Sequence, residues 1–384
     1  MFKSKFILVV VCLLVILGLG TLFFYSFSFS SGAPSLVKTG GRTMGTTWST
    51  RYVLDSKVTQ TTEAGVFQAI TSALDSINQS MSTYIPDSEL MQLNRAPLHQ
   101  PVTVSKDLFT NVAQAQHVSE LSGGAYDVTA GALVNLWGFG SVSGDSSDNA
   151  TSEEQTALPE QVTEHSQAAF MDWMAKGGVA KAPTKEQIAL AKQKTGFKSL
   201  ILDDKNRTIT KTKPVFIDLS SIAKGYGVDK VAQAIESLGV TSYMVEVGGE
   251  IRLRGKKPNG QPWKIAVREP VLENRINTIV TADNKAIATS GDYLNYYEVN
   301  GVHFSHLIDA RTGYPEQHRL ASVAVIANET SLADAYATML MVLGDEKGIA
   351  LAERQNIDAY FIYHTDKGFA SKSTGNFDSY RVDQ

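Results

Sequence analysis

The chain contains a single cysteine, no excess of basic residues and none of the common nucleotide-binding or protease motifs. Cys12 lies near the N-terminus, so the rest of the chain can form no disulfide and no thiolate metal site. Thirty-five lysine and arginine residues face 39 aspartate and glutamate residues, a net charge near −4 that argues against a nucleic-acid partner. Stability must therefore come from an apolar core, and 384 residues of which 43% are hydrophobic are enough to build one.

The N-terminus carries an uncharged apolar run over residues 6–29. This run is longer than the about 7–15 residues of a cleavable signal and reaches the about 20 residues that span a membrane. Lys3 and Lys5 precede it, so the short N-terminal tail should stay in the cytoplasm and the chain after residue 30 should be exported. We predict a single-pass anchor or uncleaved signal at 1–30 and a linker at 31–41, with a cleaved signal as the alternative. Cys12 is followed by more apolar sequence, which argues against a lipoprotein anchor.

The body, residues 42–384, alternates strand-like and helix-like segments, which predicts an α+β fold. Apolar residues at helical spacing predict helices at about 66–81, 105–121, 183–194 and 225–238. Asn300 and Gly301 stand between two strand-like runs and predict a hairpin. Residues 141–180 differ, because six acidic residues between 145 and 164 have no basic residue among them. This Ser/Thr-rich stretch predicts a solvated insertion.

A lone carboxylate stands out in the segment SLADAYATML, residues 331–340, where Asp334 is the only charged side chain. The predicted helix is apolar on all sides, so it should be buried, and a buried carboxylate must be paired or protonated. Thr338 lies one helical turn further, and the two side chains could offer oxygen ligands to a hard cation such as Mg²⁺. The alternative is a capping box, in which Ser331 caps the helix and Asp334 completes the motif. This segment alone does not decide between them.

Lys224 marks a second candidate site in the segment IDLSSIAKGYGVDK. It stands beside Gly225 and Gly227 at a predicted helix start, where free backbone N–H groups and the helix dipole favour a phosphate. The structural alternative is a glycine turn with a solvated lysine.

Two further segments combine glycine or histidine with carboxylates. In VEVGGEI, Gly248–Gly249 separate two strands beside Glu246 and Glu250, a pattern of either a turn or a close backbone approach. In HFSHLIDARTGYP, His306 and Asp309 lie at a strand end. A histidine there can bind phosphate or transfer a proton, or can simply be hydrogen-bonded.

Nine segments taken in order resemble the ApbE family, the FAD:protein FMN transferases. The resemblance covers residues 42–384 apart from the acidic insertion. The segments are RTMGTTWS, STYIPDSELMQLN, GGAYDVT, LWGFG, IDLSSIAKGYGVDK, VEVGGEI, IATSGDY, HLIDARTGYP and SVAVIANETSLADAYATML.

The resemblance implies mixed sheets with packed helices, including a T-fold-like lobe, and a reaction in which FMN passes from FAD to a Ser or Thr hydroxyl of a target protein, releasing AMP. It implies Mg²⁺ between protein and pyrophosphate, held by Asp334, Thr338 and the backbone carbonyl of Ala223. It implies that FAD is lined by Met44, Tyr84, Asp127, Lys224, Glu246, Gly248 and Gly249, with Met44 and Tyr84 toward its rings. His306 and Asp309 would lie near the pyrophosphate and, with Lys224, serve catalysis. Whether His306 or a carboxylate near the metal takes the hydroxyl proton stays open.

Three functions are compatible with these residues. The first is a transferase tethered to the bacterial inner membrane, with its catalytic domain on the periplasmic side, acting on flavoprotein subunits of membrane redox complexes. The second is an FAD pyrophosphatase that yields FMN and AMP. The third is an exported protein that binds and stores FAD, against which Asp334 argues because storage needs no metal at the phosphates. The sequence departs from the family in its transmembrane-like anchor and in lacking a second carboxylate after Asp334, which leaves open whether one or two metals bind.

Overall fold

The computed structural model describes residues 33–55, 61–141, 182–270, 275–292, 296–299 and 302–382. No helix within these ranges is long and apolar enough to cross a membrane. The predicted anchor at 1–30 and, except for Ser141, the part of the predicted insertion up to 180 lie outside the described ranges. The predicted linker at 31–41 differs from the structure, because the first strand begins at Ser35 and includes most of that segment.

The predicted helices form where an apolar stripe follows a capping side chain. Thr62, Ser105 and Thr184 each accept a hydrogen bond from a backbone N–H in the first turn of their helix. All four predicted helices are confirmed, with ends that differ from the predictions by a few residues. The described residues contain the helices α1 (Glu63–Met81), α2 (Glu89–Arg95), α3 (Lys106–Leu121), α4 (Gly131–Leu136), α5 (Lys185–Gln193), α6 (Ala223–Ser237) and α7 (Thr330–Gln355).

The strands form one large sheet and four small ones. Within the described ranges they are β1 (Ser35–Thr43), β2 (Thr46–Leu54), β3 (Val102–Thr103), β4 (Leu200–Asp203), β5 (Thr208–Lys211), β6 (Tyr243–Val247), β7 (Glu250–Arg254), β8 (Ile265–Arg268), β9 (Ile276–Val280), β10 (Lys285–Gly291), β11 (Tyr296–Val299), β12 (Val302–Ser305), β13 (Ile308–Asp309), β14 (Tyr314–Pro315), β15 (Leu320–Ala327), β16 (Asp358–Thr365), β17 (Gly368–Thr374) and β18 (Arg381–Val382). The large sheet has the order β1-β2-β6-β7-β10-β15-β16-β17, and every pair in it is antiparallel. Strands β11 and β12 pair from Val299 and Val302 outward, which confirms the predicted hairpin, although Asn300 and Gly301 lie outside the described ranges.

The large sheet is covered on both faces, as the central strand β15 shows. Val323 and Val325 point into the main core, whereas Ala324 and Ile326 point into a second cluster on the other face. Successive side chains of a strand face opposite ways, so a strand buried throughout must lie between two layers. Helices α6 and α7 contribute to the clusters on the first face, and the small sheet β18-β9-β8 contributes to the second.

Candidate active site

Helices α6 and α7 each provide a carboxylate that accepts backbone N–H groups at the start of the other helix. Asp334 of α7 accepts a hydrogen bond of 3.0 Å from the backbone N–H of Gly225 in the first turn of α6. Asp229 of α6 accepts bonds of 2.9 Å from the backbone N–H groups of Thr330 and Ser331 in the first turn of α7. Because the first two turns of α6 and α7 lie side by side, each helix satisfies free N–H groups of the other. The capping-box interpretation of Asp334 is therefore wrong, since Asp334 caps the neighbouring helix and not its own.

This reciprocal capping requires glycine at position 225, because a side chain there would not fit between the two helices. A Cβ atom at Gly225 would lie 2.3 Å from the carbonyl oxygen of Thr330 and 2.9 Å from Cβ of Asp334. At Gly227 a Cβ atom would lie 3.0 Å from Cε of Met44. The prediction that these two glycines leave room for a phosphate is wrong, because Gly225 gives its N–H to Asp334 and both positions are filled by protein.

Lys224 lies between two buried carboxylates. Its Nζ atom is 3.2 Å from Oε1 of Glu250 and 3.5 Å from the carboxylate of Asp334. Glu250 and Asp334 are each only 4% exposed. Oε2 of Glu250 is buried and has no hydrogen-bond partner within the described part of the chain. We call Lys224, Glu250 and Asp334 the lysine cluster; fully ionised, it carries one uncompensated negative charge.

The burial of the lysine cluster shifts the pKa of each member. Burial raises the pKa of Glu250 to about 8, although the ammonium of Lys224 opposes this effect. Burial also raises the pKa of Asp334, against the same ammonium and the Gly225 N–H. For Lys224 burial lowers the pKa, but the two carboxylates outweigh burial and raise it overall. Lys224 is therefore charged at neutral pH, and the two carboxylates share its single positive charge.

The structure contains the oxygen donors that a hard cation needs. Asp334 supplies a buried carboxylate, Thr338 a half-buried hydroxyl one turn further along α7, and Ala223 is the first residue of α6, directly before Lys224. No group of three or more histidine, cysteine, aspartate or glutamate residues within the described ranges could hold a metal alone. Mg²⁺ commonly takes one or two carboxylates and completes its coordination with substrate phosphates and water. Asp334, Thr338 and the Ala223 carbonyl fit that pattern.

Met44 and Tyr84, the residues expected near the flavin, are placed differently. Met44 and Gly45 form the two-residue turn between β1 and β2, with φ angles of 49° and 71°. A methionine in this left-handed region is uncommon, and its side chain packs on α6 at Gly227. Tyr84 is 66% exposed. Tyr84 is therefore available to a ligand, whereas Met44 is held at the start of α6.

Of the predicted residues in the hairpin between β6 and β7, Gly248 lies against the lysine cluster, whereas Glu246 holds the turn. Glu246 accepts hydrogen bonds of 2.9 Å from the hydroxyl of Ser49 and from the N–H of Gly249, so both of its oxygens hold the turn. Gly248 and Gly249 have φ angles of 62° and 105°, which explains the glycine pair. A Cβ atom at Gly248 would lie 3.2 Å from Cδ of Lys224. Gly248 thus makes room for the lysine.

Glu250 is the site residue to which sequence reasoning assigned no role, although it stands beside the glycine pair. It pairs with Val247 across the two-residue turn, so the two side chains share a face, and Val247 is fully buried. Glu246 pairs with Ile251 on the opposite face. The alternation YMVEV followed by a two-residue turn was the available signal that Glu250, and not Glu246, points into the core.

Asp127 and Asp309 have protein partners of their own. Asp127 accepts bonds from the N–H and hydroxyl of Thr129 and from the N–H of Phe197. Asp309 forms a two-pronged ion pair with Arg311, at 2.6 Å and 3.0 Å. Asp127 and Arg311 line the same surface cavity of about 390 Å³, together with Lys192, Lys198 and Lys213. The geometry assigns Asp309 to holding Arg311 and the following turn, which argues against the predicted catalytic role of Asp309.

His306 and Tyr126 each contact a side chain from another segment of the chain. The ring of His306 is half-buried and meets the ring of Phe139 edge-on at 6.3 Å. The hydroxyl of Tyr126 accepts a 2.9 Å hydrogen bond from Ser221, two residues before Ala223. Burial raises the pKa of Tyr126, and the charge of Asp334 adds to the effect. Tyr126 therefore connects the segment of Asp127 with the start of α6.

Comparison with known proteins places this chain in a family. The model of the ApbE family matches residues 44–361. The FAD:protein FMN transferase of Haemophilus influenzae is 39% identical over 348 residues, which cover 89% of this chain and 90% of that protein. The corresponding protein of Vibrio cholerae is also 39% identical, over 89% of this chain and 91% of its own.

Solved structures agree in fold. The structure described as flavin transferase ApbE from Vibrio cholerae superposes with a TM-score of 0.75 at 36% identity, covering 90% of this chain and 99% of that one. The apo form of Pseudomonas stutzeri flavinyl transferase ApbE gives a TM-score of 0.75 at 33% identity, over 90% and 97% of the two chains. The α+β fold and the resemblance inferred from nine sequence segments are thereby confirmed, and the chain belongs to the ApbE family.

Proposed function

We propose that this chain transfers the FMN half of FAD to a hydroxyl group of an acceptor protein. The relatives with which it aligns over about nine-tenths of its length are named for this reaction. The observation that carries the proposal is the lysine cluster, in which a partly exposed ammonium and a buried carboxylate meet at the start of α6 beside the further oxygen donor Thr338. Such a group suits a diphosphate, because phosphoryl transfer chiefly requires that reactants be positioned and negative charge be neutralised.

The reaction balances as a simple displacement. The acceptor oxygen bonds to the phosphorus of the FMN half, the bond from that phosphorus to the bridging oxygen of the diphosphate breaks, and AMP leaves. The acceptor hydroxyl, which we propose belongs to Ser or Thr, loses its proton. His306 is our candidate for accepting it, since an imidazole can take up a proton near neutral pH.

The chain's own groups have separate tasks in this proposal. Lys224 supplies a positive charge to the diphosphate, and the exposed ring of Tyr84 offers a face for the flavin. Asp334, Thr338 and the Ala223 carbonyl would hold Mg²⁺. When bound there, Mg²⁺ would offset the negative charge that spreads over the diphosphate oxygens. Asp309 keeps Arg311 in place beside the surface cavity.

One incubation tests the proposal against its alternatives. The full-length chain is purified in mild detergent and mixed with FAD, Mg²⁺ and a candidate acceptor domain, and protein-bound flavin fluorescence and free AMP are followed. Labelled acceptor together with AMP supports transfer. AMP without labelled acceptor identifies an FAD pyrophosphatase, in which water takes the place of the hydroxyl. Retention of FAD with no AMP identifies a flavin-binding protein and refutes the enzymatic proposal.

We also propose that residues 1–30 anchor the chain in the bacterial inner membrane, with the catalytic domain on the periplasmic side. The support is the length of the apolar run at 6–29 and the lysines that precede it. The acceptors would then be flavoprotein subunits of membrane redox complexes. Protease added to intact spheroplasts should digest the catalytic domain, and protection of the domain until lysis would contradict this orientation.

A further inference from the structure

The lysine cluster holds one carboxylate more than Lys224 can neutralise. Nζ of Lys224 is slightly closer to Glu250 than to Asp334, at 3.2 Å against 3.5 Å. Two buried carboxylates near one ammonium are costly, because a buried charge needs a close partner. The carboxylate that Lys224 does not neutralise must therefore be stabilised by a proton or by a second positive partner, and a bound cation would be such a partner.

Asp334 and Glu250 differ in what else they touch. Asp334 also accepts the N–H of Gly225 and has Thr338 one turn away, so it can exchange Lys224 for a cation and remain supported. Oε2 of Glu250 has no partner among the described residues, and Gly248 leaves the space in which Lys224 approaches it. An ammonium has three donors and can stay with Glu250 while it turns a further donor toward a ligand.

We infer that Glu250 is a positioning residue, which keeps Lys224 charged and in place when a divalent cation takes over Asp334. Each carboxylate then has one positive partner: Glu250 holds the lysine, and Asp334 holds the cation. Without Glu250, Lys224 has only Asp334, so a cation must first break that ion pair. This inference rests on the proposed function only in assuming that FAD and Mg²⁺ bind at the lysine cluster.

A double-mutant cycle tests the inference through binding and not through turnover. The full-length chain is mixed in a stopped-flow instrument with FAD and increasing concentrations of Mg²⁺, without an acceptor protein. The Mg²⁺ concentration that gives half of the change in flavin fluorescence is measured before any product forms. Glu250→Gln should raise this concentration about tenfold, within the range for directly interacting side chains. In the Lys224→Gln background, Glu250→Gln should change it less than about twofold, because Glu250 then has no lysine to hold.

The controls separate positioning from other roles. Glu236→Gln removes one negative charge from a different ion pair, that with Arg254, and should leave the Mg²⁺ dependence unchanged. An unchanged Mg²⁺ dependence in Glu250→Gln overturns the inference. An equal effect of Glu250→Gln with and without Lys224 also overturns it, because Glu250 would then be a metal ligand or a purely through-space charge.

A further variant keeps the test decisive if the double variant does not fold. Glu250→Asp retains the negative charge facing Lys224. Its Mg²⁺ dependence should stay within about threefold of the original, since the ion pair between residue 250 and Lys224 is kept. If Glu250→Asp is as impaired as Glu250→Gln, the charge is not what matters and the inference fails. Because AMP and labelled acceptor play no part in this measurement, a failed transferase assay leaves it interpretable.

Discussion

Replacing Asp334 by asparagine separates its structural role from its chemical role. Removing one partner of a buried ion pair usually costs about 3–5 kcal/mol, because the other charge is left uncompensated. Here Lys224 would keep Glu250 at 3.2 Å, so one positive charge would face one negative charge. The amide oxygen of asparagine can also accept the N–H of Gly225. We therefore expect Asp334→Asn to lower the free energy of unfolding by only about 1 kcal/mol.

The effect on transfer should be much larger. An amide is a weak ligand for Mg²⁺ compared with a carboxylate, and it brings no charge to the site. Loss of one well-placed electrostatic group at a reacting centre typically lowers kcat by about 100-fold to 1,000-fold. We expect a loss of at least about 100-fold in the rate at which Asp334→Asn labels an acceptor, measured well below its melting temperature.

Asp229→Asn is the matched control, because Asp229 makes the reciprocal contact at the start of α7. Its two oxygens accept the N–H groups of Thr330 and Ser331, and an asparagine amide nitrogen cannot accept the second. A buried N–H left without a partner costs about 1–3 kcal/mol, so Asp229→Asn should be the less stable variant. Its folded fraction should nevertheless transfer FMN at nearly the original rate.

The reverse pattern would refute the reasoning. If Asp334→Asn unfolds easily but labels the acceptor within about threefold of the original rate, Asp334 is a helix cap and not a cation ligand. The same conclusion follows if both variants lose transfer only in proportion to their unfolded fractions, which circular dichroism at the assay temperature would show.

Three further outcomes are expected. Gly225→Ala should destabilise the chain by about 1–3 kcal/mol in chemical denaturation, because its Cβ would lie 2.3 Å from the carbonyl oxygen of Thr330; an unchanged midpoint would contradict the close helix contact. Tyr84→Ala should change stability by less than about 0.5 kcal/mol, since the side chain is exposed, but should weaken FAD binding in a fluorescence titration; unaltered affinity would remove Tyr84 from the site. Burial raises the pKa of Glu316 to about 8, so the folded chain keeps a proton that the unfolded chain releases nearer its ordinary value, and stability should fall as pH rises from about 5 to 8. Thermal melts of Glu316→Gln should show a smaller fall over this range, and equal slopes would rule the effect out.

Local sequence patterns predicted the elements well where a pattern and a cap coincide. Ser105 marked the start of α3 correctly, whereas the apolar stripe alone predicted a start near residue 66 for α1, which begins at Glu63. The segment around Asp334 was harder, because a serine three residues before a carboxylate has the same sequence spacing as a capping box. The carboxylate caps α6 instead, and nothing in the spacing of α7 reports which helix lies beside it.

The partners of Lys224 illustrate the same limit. Lys224 and Asp334 are 110 positions apart in the sequence and lie on two different helices. Their contact depends on the close approach of the first turns of α6 and α7, which Gly225 allows by lacking a Cβ. Glu250 joins them because β7 pairs with β6 in a register that turns its side chain toward the core.

The sequence by itself determined the longer helices, the absence of disulfides from the body and, through nine ordered segments, the family. These properties depend on neighbouring residues, whose spacing decides which side chains share a face. Only the tertiary structure decided which carboxylates face Lys224, and that Asp229 and Asp334 cap each other's helices. Such contacts join residues about 25 to 110 positions apart, and they form because burying charges and free N–H groups is costly until a distant segment supplies the partner.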